Sequence, residues 1–249
     1  MSLFENYERR IDKINETLNK YGIASIEDAK KVCDEKFPAH TLFFASDRNI
    51  SKKFKYLPLA ISSRTYGREF EGFDYGISFV GNPNIAKRVE ILASVVKAFG
   101  DNLAVFCEKK QFEKSVEKME KYLTKDELVT YKYCYQGFLE DEREISKVLN
   151  SSKINLNIIT KFNMSLNFHA FETLAAGGFL LTNNAWACYE FFDLARDLET
   201  YYDIDDLIDK IKFYTRQIDM AQVIALSGKA AIRQGHTFKD RVKVILKSI

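Results

Sequence analysis

Proline and glycine are scarce, with 3 and 11 in 249 residues. Few turns are therefore enforced, which argues against a turn-rich sandwich and favours helices with buried strands. Cysteine is also sparse. Cys33, Cys107, Cys134 and Cys188 lie far apart, with no CxxC pair and no histidine at metal-ligand spacing, which excludes a recognisable zinc motif or disulfide framework. Cys107 and Cys134 fall in apolar runs and are expected as buried free thiols, a usage that suits a reducing cytoplasm. Charge of one sign is lacking as well: 37 Lys+Arg against 35 Asp+Glu leave a net +2. No global field draws the chain to nucleic acid or an anionic membrane, and no basic stripe interleaved with aromatics marks a nucleic-acid surface. No run approaches the ~20 continuous apolar residues of a membrane span. The opening Met1-Ser2-Leu3-Phe4-Glu5 turns charged too soon for a signal peptide. These absences lead to an expected cytoplasmic protein without a membrane span.

What is present is a 46% hydrophobic, 29% charged chain with material for a sizeable core. Residues 4–36 read as two helices: Ile11, Ile14, Leu18 and Tyr21 recur at helical spacing, and Gly22 breaks the run before Ser25 can cap the second. Residues 41–70 lose periodicity and read as a connector with at most short strands. After Gly72, compact apolar runs alternate with helical patterns. The strand candidates are Tyr75–Val80, Asn102–Cys107, Val129–Tyr135, Ile154–Ile159 and Gly178–Thr182. Helical patterns fill 85–99, 112–123, 142–149, 168–176 and 189–194, and helices continue from 203 to the end. Such alternation predicts right-handed βαβ units and a largely parallel sheet.

Two segments carry candidate chemistry. In the first, the strand through Val80 ends at Gly81 and enters a helix whose first turns hold Lys87 and Arg88. A strand-to-helix turn of this kind exposes N–H groups and a positive dipole end that can hold an anion. Neither GxGxxG nor a Walker pattern is present, and an ordinary turn with two solvated cations explains the same residues. In the second, the strand ending Asn155-Leu156-Asn157 leads through a polar loop at Asn163-Met164-Ser165 to a helix starting near Ser165 or Asn167. That helix aims free N–H groups outside the strand ends, where ligands of open parallel sheets bind. Glu172, more than a turn further in, could accept from vicinal sugar hydroxyls, and Gly177-Gly178 would stop the helix and allow close approach. A solvated Glu172 and a structural His169 are the plainer alternatives.

The run Asn155-Leu156-Asn157 followed by His169-Ala170-Phe171-Glu172-Thr173-Leu174-Ala175-Ala176-Gly177-Gly178-Phe179-Leu180-Leu181-Thr182-Asn183 resembles the C-terminal half of GT-B glycosyltransferases of the "glycosyl transferases group 1" and CgeB-like type. Weaker matches extend the resemblance over 56–249: Tyr56–Ala60, Tyr75–Gly81, Ser152–Asn157, Tyr202–Leu207, and His236-Thr237-Phe238 with Arg241. It implies an α/β fold, a Rossmann-like parallel sheet with helices on both faces over 56–249; the helical preface and connector at 1–55, read from spacing alone, come before it. It also implies a nucleotide diphosphate-sugar donor, UDP- or GDP-linked, with no further cofactor and no metal. Glu172 would meet the ribose, backbone N–H groups near His169 the diphosphate, and a pocket near Gly137 and Phe138 the base. Gly81, Arg88, Asn163, Phe171, Gly177 and Gly178 complete the candidate substrate-binding set.

Two positions depart from the family pattern. Met164 stands where related enzymes often carry a glutamate eight residues before the ribose glutamate, and His169 where an arginine is common. A GT-B enzyme also closes two such domains over its substrates, whereas only helices and a connector precede this one. The expected activity is sugar transfer to an unknown acceptor, with the acceptor side supplied by the rest of a longer enzyme, by a partner chain, or by the short preface in place of an acceptor domain. The alternative is a module that binds nucleotide, or another protein, without catalysing. A phosphate-binding α/β protein unrelated to sugars is a third, plainer reading.

Overall fold

The computed structural model describes residues 57, 59–62, 69–160 and 166–247. The chain divides into two units, Met1–Pro58 and Leu59–Ile249, and the second holds the α/β fold. The two helices expected within 4–36 and the apolar run at 41–45 lie outside the described residues.

From Tyr75 onward the alternation expected from sequence becomes a parallel sheet. Its strands are β1 (Tyr75–Val80), β2 (Leu103–Phe106), β3 (Tyr135–Gly137), β4 (Ser152–Asn157), β5 (Leu180–Asn183) and β6 (Glu199–Tyr201). They lie in the order β3-β2-β1-β4-β5-β6 with every neighbouring pair parallel. The helices are α1 (Ala86–Phe99), α2 (Lys109–Met119), α3 (Lys125–Tyr133), α4 (Glu142–Asn150), α5 (Phe168–Ala176), α6 (Trp186–Phe191), α7 (Ile204–Arg216), α8 (Ile218–Gly235) and α9 (Phe238–Leu246). This is a Rossmann-like α/β fold.

Side chains alternate across the sheet because successive strand residues face opposite ways. Ile77, Phe79, Val105, Ile154, Leu156 and Leu181 enter one core with Leu92 and Val96 of α1 and Leu207 and Ile211 of α7. Leu180 faces the other way, into a second cluster with Phe171 and Leu174 of α5, Cys188 of α6 and Ile232 of α8. Helices therefore cover both faces, and near-continuous apolar strands follow from that double burial. Three cysteines are buried free thiols, as their apolar surroundings dictate. Burial pushes Cys107 and Cys134 up to about 12 and Cys188 up to about 11, which keeps them protonated and unreactive.

One expected strand is corrected. Val129–Tyr135 is mostly α3, followed by the three-residue β3. Thr124 caps α3 in a reciprocal box with Glu127, so two otherwise open N–H groups are satisfied at the helix start and outweigh the β-leaning Val129-Thr130-Tyr131. β6 escapes sequence reading because three residues, Glu199-Thr200-Tyr201, form no apolar run.

The chain's return closes the fold beside its start. Ile61 bridges to Thr237 in parallel. Arg241 donates from Nη2 to the Leu59 carbonyl at 2.8 Å, from Nη1 to the Gly235 carbonyl at 2.8 Å, and to His236 Nδ1 at 2.8 Å. His236 is enclosed by Phe171, Phe191 and Phe192, stacking on Phe192 with centroids 4.9 Å apart. Burial first, then the Arg241 charge, hold its imidazole down to about 4. A neutral ring follows, because a protonated Nδ1 would face the guanidinium donor.

Candidate functional site

The strand order reverses direction between β1 and β4. The connection from β1 runs to β2 on one side, and that from β4 runs to β5 on the other, so the loops after these strands diverge and leave a crevice at their carboxyl ends. Two of the sequence candidates meet on one wall. Gly81 leaves β1 at φ +141°, and a Cβ there would stand 3.7 Å from Arg88 Nη1. Arg88, in the first turn of α1, donates from Nη1 to the Asn82 carbonyl at 2.9 Å and from Nε and Nη2 to the Ile158 carbonyl at 3.2 and 3.1 Å. It thus staples the loop after β1 to the loop after β4. Its guanidinium also lies 5.6 Å over the Phe79 ring. Burial lowers the Arg88 pKa, and Tyr201 opposes that shift, but an arginine keeps its charge under such a perturbation.

On the other wall, asparagines organise the backbone. Asn157, the last residue of β4, donates from Nδ2 to Asn167 Oδ1 and to Thr182 Oγ1, each at 3.0 Å, and Asn167 Nδ2 donates back to Asn157 Oδ1 at 2.9 Å. Asn167 also caps α5 by accepting from the Ala170 N–H at 3.2 Å. Asn183, at the end of β5, pairs with the Ile159 backbone: its Oδ1 accepts from the Ile159 N–H at 2.6 Å, and its Nδ2 donates to the Ile159 carbonyl at 3.3 Å. The start of α5 is therefore fixed relative to two strand ends, those of β4 and β5. Sequence reasoning missed this network; the signal available was the asparagine at each strand terminus, Asn157 and Asn183.

Among the described residues no acceptor meets the N–H groups of Phe168 and His169 in the first turn of α5, which leaves a positively polarised opening. Helical side chains lean toward the helix N-terminus. Glu172 accordingly reaches back to His169, its Oε2 3.5 Å from Nδ1, with 12 and 13% of the two side chains exposed. Open donors, an imidazole and a carboxylate thus share one helix end beside the β1–β4 crevice. Such a set can hold an anion and accept from hydroxyls.

The other candidates are placed differently. Gly137 ends β3, its carbonyl accepting from the Cys107 N–H at 2.8 Å, and Phe138 follows as an exposed ring. They lie on the carboxyl edge, three strand positions and roughly 14 Å from β4 at the usual spacing. Phe171 is corrected from a binding residue to a core residue: it is 1% exposed and packs on Phe192 and His236. Gly177 and Gly178 are corrected too. They lie between α5 and β5 at the amino edge, away from the crevice. Gly177 ends the helix in a left-handed conformation, and Gly178 brings the chain against the Leu149 carbonyl and Asn155 Nδ2, the latter 2.6 Å from where a Cβ would be. Close packing of α4, β4 and β5 explains the pair. Asn163 and Met164 lie outside the described residues. Among the described residues no three His, Cys, Asp or Glu side chains converge in a cluster that could hold a metal ion, and no helix is long and apolar enough to cross a membrane.

Residues 88–247, well over half of the chain, match a family model described as glycosyl transferase-like. The chain belongs to this glycosyl transferase-like family. A second model, described as GGGtGRT protein, matches residues 4–43, and curated protein sequences give no match. Solved structures share the fold. A glycosyltransferase from Rickettsia africae ESF-5 aligns with TM-score 0.56 at 11% identity, over 78% of this chain and 56% of that one. An S. aureus TarM mutant in complex with fondaparinux, alpha-GlcNAc-glycerol and UDP aligns at 0.55 and 14%, over 79 and 39%. Anabaena HepE in complex with UDP-glucose aligns at 0.53 and 11%, over 70 and 48%. This glycosyl transferase-like chain thus spans about half, or less, of the length of those proteins. The family match begins at Arg88 and runs through the crevice, α5 and the closing helices.

Proposed function

We propose that this chain provides the donor-binding half of a glycosyltransferase. A nucleoside diphosphate-sugar occupies the crevice between the loops after β1 and β4, with its diphosphate against the open first turn of α5 and its ribose hydroxyls on Glu172. The observation that carries this reading is the convergence of those N–H donors, His169 and Glu172 at the strand-order reversal of a glycosyl transferase-like chain. Phe138, exposed on the same edge, offers a face on which the base can stack. HepE is described with UDP-glucose and a TarM mutant with UDP, which favours a uridine nucleotide here over a guanosine one.

Sugar transfer leaves negative charge on the departing diphosphate. Fixed donors at α5, set by Asn167 and the Arg88 staple, stabilise that charge without reorganising, and the reaction on this reading needs neither metal nor cofactor. The acceptor's binding wall on this reading comes from the preface, another domain or a partner chain. Three buried free thiols fit a reducing, cytoplasmic setting.

A thermal-shift panel of UDP-, GDP-, ADP- and CDP-sugars, each with and without EDTA, tests this. A ligand at 100 times its dissociation constant adds about 2.7 kcal/mol, worth roughly 5–10 °C in a chain of this size. UDP-sugars should give that rise with EDTA present. No rise with any nucleotide removes the donor reading, and a rise that EDTA abolishes removes metal independence.

A further inference from the structure

A hollow lies at the opposite end of the strands from the crevice. It encloses about 590 Å³, within the range of small-molecule sites. Its floor is the amino end of β4 with Phe179, one wall is α8, and the other is Phe70 with Phe73, whose rings lie 4.8 Å apart. On α8, Ala221 and Ala225 face the hollow where larger side chains would close it. Phe70 and Leu226 remain 48 and 63% exposed at its margin, so the apolar lining continues outward.

Charge around this hollow is unequal. Among the described residues Lys153, Lys229 and Arg233 line it together with one carboxylate, Glu69. Lys229 and Arg233 are one helical turn apart on α8, an i,i+4 pair of like charges that disfavours the bare helix. Burial, then the Arg233 charge, lower the pKa of Lys229, while Glu69 partly offsets them. Lys229 extends across Gly177, its Nζ 3.3 Å from where a Cβ would stand. Two cations held side by side at the edge of an apolar hollow gain from an anion whose remaining body is apolar.

We propose that this hollow is a binding site for a single-chain amphipathic anion, its alkyl or acyl chain between α8 and the Phe70–Phe73 wall and its head at Lys229 and Arg233. A carboxylate and a phosphate monoester share that chemistry. The site is separate from the donor crevice and does not rest on the donor reading.

Titration calorimetry on the full chain with octanoate, decanoate, dodecanoate, decyl phosphate, decanol and decyltrimethylammonium, all below micelle formation, tests it. Each two added methylenes should tighten carboxylate binding roughly 15-fold. At least one of decanoate and decyl phosphate should bind tenfold or more tighter than decanol, with decyltrimethylammonium weaker still; the tighter anion distinguishes a fatty acid from a lipid phosphate. Ala225→Trp should abolish this binding while leaving the nucleotide response unchanged. Lys229→Gln with Arg233→Gln should weaken the anions at least tenfold and leave decanol unaltered, which serves if Ala225→Trp fails to fold. Equal affinity for decanol and both anions, no dependence on chain length, or anion binding unchanged in the double variant overturns the proposal.

Discussion

Replacing Arg88 by alanine removes three hydrogen bonds in a single step: one to Asn82 and two to the Ile158 carbonyl. Hydrogen bonds from a charged donor contribute about 1.5–3 kcal/mol each, and two that share an acceptor in a half-exposed setting contribute less than two independent ones. The lost contact with the Phe79 ring at 5.6 Å adds about 0.5 kcal/mol. An expected loss of about 3 kcal/mol follows, or roughly 6–12 °C in melting temperature. Arg88→Lys keeps the charge, but a point ammonium cannot span both loops, so it should recover about one third of the loss. Urea denaturation of wild type, Arg88→Ala and Arg88→Lys measures this series. If alanine costs under about 0.5 kcal/mol, the size of an ordinary surface substitution, or if lysine restores full stability, the staple between the two loops is not what Arg88 provides.

Other outcomes follow from the same geometry. Asn167→Ala loses the α5 cap, about 1 kcal/mol, and leaves the Asn157 amide short of its partner, about 1–2 kcal/mol more; Asn167→Asp should keep the cap and the bond accepted from Asn157 Nδ2 but lose the one donated to Asn157 Oδ1, a cost of about 1–2 kcal/mol, as read by chemical denaturation. Gly178→Ala forces a methyl against the Leu149 carbonyl and Asn155, an overpacking cost of about 1–3 kcal/mol, yet it should leave the nucleotide response intact because the turn is at the amino edge. His236 has a folded pKa of about 4, below its unfolded value of about 6.5, so the unfolded chain takes up the proton first as pH falls. Stability is full above pH ~6.5 and declines toward pH 4, by roughly 2 kcal/mol once screening of a partly exposed ring is allowed for; a pH series of wild type against His236→Phe isolates it, and equal slopes would refute the assignment.

Where apolar runs are long, the fold was legible in sequence. β1 coincides with its expected span, and α5 does as well, because its apolar stripe is bracketed by Asn167 and Gly177. Legibility failed where short-range hydrogen bonding decides: the Thr124–Glu127 box turned an apparent strand into α3, and β6 is defined by its pairing with β5 and not by its own composition. The site shows the same division. Glu172 and His169 could be placed on one helix face by counting. Phe171, one position before Glu172, points the other way into the core, and a motif read as a block of residues hid that rotation of roughly 100°. Gly177 and Gly178 share the motif but lie at its far end, a helix length from the crevice. Arg88 was expected to face a ligand, whereas its donors are committed to two backbone carbonyls 70 and 6 residues away in sequence; no local pattern encodes the longer of those contacts.

The most direct test of the account compares uridine diphosphate binding by wild type and Glu172→Ala in titration calorimetry, after confirming that both unfold at the same temperature without ligand. Glu172 is predicted to accept from the ribose, so its removal should weaken binding by at least tenfold, about 1.4 kcal/mol. Equal affinities in two equally stable proteins would contradict the placement of the nucleotide at the open end of α5.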